Sequence, residues 1–425
     1  MSRDPSSLPA PDRAVASART GEAVPDVPSP RMGLVVAILV LASSTSIMST
    51  DMYAPSLPDL TAWFDTTPTL MQLTISLNML AFGLAQLVHG PLSDRFGRRP
   101  VMLVSLVGVA VLSIACAFSQ TIGQLLAARI LLGIAAAAEA VLGLAILKDL
   151  YDERQQVKAL ALLGMVIAAA PAAAPILGGY LHVAFGWQSN FAVIALMALL
   201  AFVIVALKLP ESATPDLRAL EPRRVFGGYA RLLRNADFVS HSAMLGIALG
   251  LVLGFVTAAP FVLIEHLGVA TERFGFYQAS IVLAFFLGSV LASQLADRRI
   301  GERMLGFGVV LIAVGSLVLA VVVFGGFLSP LTFAASYSIM TFGMGPVFAV
   351  APSRALRSID GQSGTASALL SGIEQIMAGA VAVTVSLLHD ETARSLAWLA
   401  LALALALVTL LRAARARARR TAVLA

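Results

Sequence analysis

The chain has 425 residues, of which 58% are apolar and only 12% carry a charge, and its mean hydropathy is +0.87. That balance excludes a soluble globular domain, whose surface needs about twice that charged fraction, and points to an all-α polytopic membrane protein. The net charge of +5 is spread over seven short segments, which argues against nucleic acid as a partner.

Residues 1–31 hold six prolines and no apolar core, the pattern of a disordered cytoplasmic tail. Twelve apolar runs of spanning length follow, at 32–54, 69–91, 99–119, 122–147, 157–181, 187–208, 239–263, 275–296, 303–324, 330–352, 363–387 and 394–413. All but Arg129, Arg273 and Arg394 of the 29 Lys and Arg fall on one side of the implied topology. The positive-inside rule then places both termini in the cytoplasm. A polar stretch at 209–238 splits the spans six and six, giving bundles at 32–208 and 239–413 and a basic tail at 414–425. Asp94-Arg95 recurs as Asp297-Arg298 and Pro55 as Pro260, so the two bundles read as related repeats with a substrate site between them.

Asp51 lies near the outer end of the first run, just before Tyr53. A carboxylate at membrane depth costs about 2.5–3.5 kcal/mol, so it marks a transport pathway or a proton relay. Asn78 in the second run has two readings, a cavity wall or interhelical glue. After that run comes Gly90-Pro-Leu-Ser-Asp94-Arg95-Phe-Gly97-Arg98-Arg99. Its glycines suit close helix approach and a tight turn, and Asp94 suits a helix N-terminus.

Arg129 sits about 10 Å into the fourth run, where an arginine must face a cavity or an acid. Pairing with Asp51 is one option, either as a proton-coupling pair or as a fixed ion pair. Glu139 lies about 15 Å farther along the same helix, serving an inner half-channel, a cationic cargo or the interface. The fifth run contains Ala170-Pro171-Ala-Ala-Ala-Pro175-Ile-Leu-Gly178-Gly179. Both prolines should bend that helix, and the glycines should admit a neighbour. Glu374 falls mid-way along the eleventh run, facing either the central cavity or the second span. Phe285 and Met344 suit either an apolar cavity lining or ordinary packing.

The segment from Thr50 to Pro58, the loop at 90–100 and the fifth-run string together resemble the major facilitator superfamily. Within it they resemble the bicyclomycin/chloramphenicol resistance group of drug:proton antiporters. The resemblance implies two pseudo-repeated six-helix bundles and export of small drug-like molecules against protons. With it, the residues themselves put Asp51, Arg129 and Glu139 forward for proton coupling and Asp51, Tyr53, Asn78, Glu139, Glu374, Phe285 and Met344 for a substrate cavity. Gating falls to Gly90, Asp94, Arg95, Gly97, Arg98, Pro171, Pro175, Gly178 and Gly179, with Asp94 docking at the start of the eleventh span. The chain departs from the family pattern at Leu132 and Ala174, where a polar residue and a glycine are usual.

Five histidines lack metal-ligand spacing and no glycine-rich phosphate loop occurs. The chain is therefore expected to be no enzyme, to need no cofactor or metal, and to draw on the proton gradient. Its expected partners are the cargo, protons and membrane lipid, in a bacterial inner membrane, with the protein as a monomer. A metabolite exporter with the same fold is the nearest rival reading, and a non-transporting sensor the more distant one.

Overall fold

The computed structural model describes residues 32–295, 301–359, 364–390 and 392–424. The expected tail at 1–31 and the Asp297-Arg298 echo lie outside them. Fourteen α-helices run along the described chain: α1 Met32–Asp51, α2 Leu57–Trp63, α3 Pro68–Phe96, α4 Arg98–Ala117, α5 Ile122–Leu150, α6 Glu153–Phe185 and α7 Gln188–Lys208. A linker helix, α8 Pro222–Leu233, precedes α9 Ala236–Pro260, α10 Thr271–Gln294, α11 Gly301–Phe324, α12 Pro330–Arg357, α13 Gly364–Leu387 and α14 Arg394–Leu424. Twelve helical stretches are long and apolar enough to cross a membrane, in the order expected.

The helices start where short polar side chains satisfy their free N–H groups. Thr67 accepts from Leu70 N, Thr121 from Gln124 N, and Asp152 forms a reciprocal cap with Gln155. At their arginine-rich ends several helices overrun the expected spans, because a charged side chain can reach polar surroundings from a helix that continues past the hydrocarbon. The basic tail accordingly stays helical to Leu424.

The helices α1–α7 and α9–α14 form two bundles, which meet where α3 packs on α13 and α6 packs on α10. The α3–α13 contact is close because a Cβ on Gly379 would sit 2.7 Å from Leu80 Cα. Towards the end opposite the arginines it carries Ser76 Oγ to Ser386 Oγ at 3.0 Å and Gln72 Nε2 to His389 Nδ1 at 2.9 Å. At this far end the first helix of each bundle unwinds after a matching point: Pro55 lies in a 3-10 turn, Ala54–Ser56, and Pro260 precedes a π turn, Phe261–His266.

Candidate functional site: a buried charge cluster between the bundles

Asp51 is the last residue of α1 and only 7% exposed. Arg129, on α5, is fully buried beside it. Its Nη1 donates to Ser49 O at 2.5 Å and its Nε to Thr74 O at 3.2 Å. The guanidinium also lies 4.4 Å from the centre of the Tyr53 ring, and the Tyr53 hydroxyl meets Thr74 Oγ1 at 2.5 Å. Arg129 is thus held by two carbonyls and an aromatic face, and among the described residues it forms no ion pair. The optional Asp51–Arg129 ion pair is not formed, and Arg129 Nη2 is buried with no hydrogen-bond partner among the described residues. The charge of Arg129 still acts on Asp51.

Asn78 supplies the joint between α3 and α5. Its Nδ2 donates to Arg129 O at 2.6 Å, and Thr50 Oγ1 donates to its Oδ1 at 3.4 Å. A Cβ at Gly133 would overlap Asn78 O, so glycine is needed four residues after Arg129 for this contact. In this conformation Asn78 is glue and not a cavity wall.

The second bundle meets α6 near Asp51 through Gln278 of α10, which is 3% exposed. Its Nε2 donates to Pro171 O of α6 at 3.3 Å. That carbonyl is available because Pro175, four residues on, has no N–H to offer it. The helix α6 runs through both prolines. Just beyond them, Gly178 faces Met52 O and Gly179 faces Thr271 O, and a Cβ at either would strike the carbonyl. The paired glycines therefore wedge α6 between the end of α1 and the start of α10.

Glu139 stands apart from this cluster. It is fully buried where α1, α4 and α5 meet, taking a hydrogen bond from Thr45 Oγ1 at 2.8 Å and approaching Ser105 Oγ at 3.5 Å. Its expected place in a substrate cavity is corrected, because hydroxyls from two neighbouring helices surround it. Glu374 is half-buried on α13 with no side-chain partner among the described residues. The stripe of α13 that meets α3 is carried by Gly372, Gln375 and Gly379, so Glu374 flanks that contact. Met344 turns into the interior of the second bundle with Leu251, Ile312 and Met340. Phe285 meets Phe348 edge-on at 5.7 Å. Both are packing residues here, as apolar side chains between neighbouring helices of one bundle usually are.

At the basic end, Arg98 joins Asp94 and also Asp149, the latter at 3.0 Å. The N–H groups of Arg98 and Arg99 are capped by Glu211, at 2.9 and 3.2 Å. The carboxylate at this helix N-terminus is therefore Glu211, from the linker, and not Asp94. It lies over Gly97, whose φ of +95° requires glycine. Gly90 has ordinary space, the nearest atom to an added Cβ being Val141 Cγ1 at 4.0 Å. The linker is fastened further by Asp216 N to Asp94 O at 2.8 Å and by Arg95 Nη1 to Leu217 O. Of the segment 361–364 at which Asp94 was expected to dock, residues 361–363 lie outside the described residues.

Sequence reasoning missed Gln278 and Glu211. A glutamine well inside an apolar run is a signal for the first. The second carried no local signal, because its partner is distant in the chain.

The family model described as Major Facilitator Superfamily matches residues 39–383. A bicyclomycin resistance protein homolog of Haemophilus influenzae is 27% identical over 81% of this chain and 86% of its own. A chloramphenicol resistance protein of Pseudomonas aeruginosa is 27% identical, covering 85% and 87%. The multidrug transporter MdfA of Escherichia coli O157:H7 is 29% identical, covering 82% and 85%. Among solved structures, a D-xylose-proton symporter aligns with a TM-score of 0.71 at 15% identity, over 89% of this chain and 97% of that one. A bacterial homolog of the human lysosomal transporter Spinster, inward-facing and unoccupied, aligns with 0.69 at 15% identity, over 90% and 97%. At such identity these two establish the fold alone. The twelve spanning helices and the match over most of the sequence make this chain a membrane transporter of the Major Facilitator Superfamily.

Proposed function

We propose that the protein is a proton-coupled antiporter of the bacterial inner membrane that exports small amphipathic drug-like molecules by alternating access, working as a monomer with both termini in the cytoplasm. The observation that carries this reading is the place of Asp51: a buried carboxylate where α1 and α6 of one bundle meet Gln278 of the other. A proton and a cargo that compete for one such carboxylate couple their fluxes, provided the site opens to alternate sides. Arg129 is the buried cation that the carboxylate faces once it has released its proton. Residues on the far-end contact, Gly178 and Gly179 above all, form the outer gate, while Gly97, Asp94, Arg95 and Arg98 form the inner one.

The drug-resistance names of the curated relatives support the cargo class, and the one-sided distribution of arginines supports the orientation. The energetics suffice. One charge crossing 100 mV is worth about 2.3 kcal/mol and one pH unit about 1.4 kcal/mol. Their sum, about 3.7 kcal/mol, sustains about a 500-fold gradient of a neutral cargo per proton.

The test is accumulation of chloramphenicol-like compounds in cells with and without the protein, each with and without a protonophore. Protein-dependent, protonophore-sensitive export that Asp51→Asn abolishes supports the reading. Export by Asp51→Asn at the wild-type level, with unchanged pH dependence, defeats it. Release of a metabolite in place of any drug would assign the cargo differently.

A further inference from the structure

We propose that the arginine-rich end of the second bundle holds a site for the phosphate group of an anionic phospholipid of the cytoplasmic leaflet. The site depends on the function proposed above only for its orientation in the membrane, and not on the proton carrier or the cargo.

The site is a cavity of about 360 Å³ between the starts of α9 and α11 and the ends of α12 and α14, within the size range of small-ligand sites. Three arginines line it, Arg354, Arg357 and Arg415, against two carboxylates, Asp237 and Glu302. Both carboxylates are already answered: Glu302 meets Arg354 Nη1 at 2.8 Å, and Asp237 meets Arg417 Nε at 2.8 Å. Arg357 has no ion pair or side-chain hydrogen bond among the described residues. Arg415 donates through Nη2 to Glu302 O at 3.1 Å, a neutral carbonyl that leaves its charge uncompensated. Two guanidinium charges from different helices thus line one cavity without a counter-charge. Each guanidinium is a rigid fork of N–H donors that matches two oxygens of a phosphate. The walls are joined, since Asn235 Nδ2 donates to Ser358 O at 2.6 Å and ties the start of α9 to the end of α12.

The same end of the first bundle is the contrast. There Arg98 meets Asp94 and Asp149, and Glu211 of the linker caps α4. Among the described residues no carboxylate from another segment answers Arg357 or Arg415. Two features favour a lipid over a soluble anion. The cavity sits where spanning helices leave the hydrocarbon, and basic sites between such helices on the cytoplasmic side take anionic headgroups. Toward mid-membrane the same helices present apolar side chains outward, Phe307 and Val310 on α11 and Leu405 on α14, a surface on which acyl chains can lie.

The experiment uses the full-length protein in detergent and reads bound lipid by native mass spectrometry, with the thermal midpoint as a second measure. Titrations with phosphatidylglycerol, phosphatidylcholine and inorganic phosphate separate the sources. Phosphatidylglycerol should be retained at a single tight site and raise the midpoint, while the other two do neither at the same concentration. Arg357→Gln, which breaks no bond among the described residues, should weaken retention about fivefold, and Arg357→Gln with Arg415→Gln at least about tenfold. The control pair, Arg303→Gln with Arg412→Gln, removes the same charge from exposed positions outside the cavity and should leave retention unchanged. Equal losses in the two pairs, equal retention of phosphatidylcholine, or undiminished retention in Arg357→Gln overturns the site. A rise in midpoint from inorganic phosphate that equals the lipid's, and is lost in Arg357→Gln, overturns the lipid as its occupant.

Discussion

In the first bundle the helices close over Asp51, Arg129, Glu139, Asn78 and Gln72, and of these Arg129, Glu139 and Asn78 hydrogen-bond to other helices. In the second they close over Phe255, Phe333 and Tyr337, whose rings lie 4.8–5.7 Å apart. The first helix of each bundle ends in a different turn, 3-10 in one and π in the other, but the larger difference lies in the buried side chains. Polar groups in hydrocarbon must satisfy one another and so fix a definite arrangement. Aromatic packing needs only shape. A division follows: the buried carboxylates and arginine Asp51, Glu139 and Arg129 lie in the first bundle, while aromatic packing fills the interior of the second.

The comparison can be broken by substitution. The largest effect is expected for Arg129→Ala. It removes the side-chain donor to Ser49 O and the second donor to Thr74 O, and should lower stability by about 2–5 kcal/mol, seen as a fall in thermal midpoint and yield of folded protein. Tyr337→Phe in the other bundle removes no hydrogen bond found among the described residues and should cost under about 1 kcal/mol. Equal losses would contradict the proposed division.

Next in size is Gly178→Val. Its side chain would collide with Met52 O where α6 meets the end of α1. The protein should still insert, while export falls at least about tenfold and engineered far-end cross-links between α6 and α10 form poorly. Glu139→Gln should have a moderate effect. Glutamine preserves the contacts with Thr45 and Ser105 within about 1 kcal/mol, and proton-driven export should fall by less than in Asp51→Asn. A loss as deep as that of Asp51→Asn, without destabilisation, would place a second proton carrier in the first bundle. The smallest effect belongs to Glu211→Ala, which uncaps α4 and should cost about 0.5–1 kcal/mol, diminishing at high salt.

Much of the fold was legible because membrane spans announce themselves by length and by the sidedness of arginine. The helix α8 was not. Its sequence holds Gly227 and Gly228, which read as loop, yet Tyr229 and Leu232 are buried and Arg231 exposed, as on an amphipathic helix. The charged members of the site were legible one by one, since an ion in an apolar run is conspicuous. Their partners were not. Whether Arg129 meets a carboxylate or a carbonyl depends on the direction of a side chain at a helix end, which spacing does not encode. That Gln278 meets Pro171 O depends on a residue about a hundred positions earlier, and no periodicity links the two.

The linker between the bundles is fastened to the first one at Glu211, Asp216 and Leu217, and Tyr229 of α8 donates to Leu87 O at 3.2 Å. Gly228 packs against Thr365 at the start of α13. Of residues 209–235 between α7 and α9, only a few on either side of α8 can pay out as the halves rock. The bundles are therefore leashed more tightly at their arginine-rich ends than chain length implies. The angle to which the transporter gapes on that side is set by a strap only a few residues long.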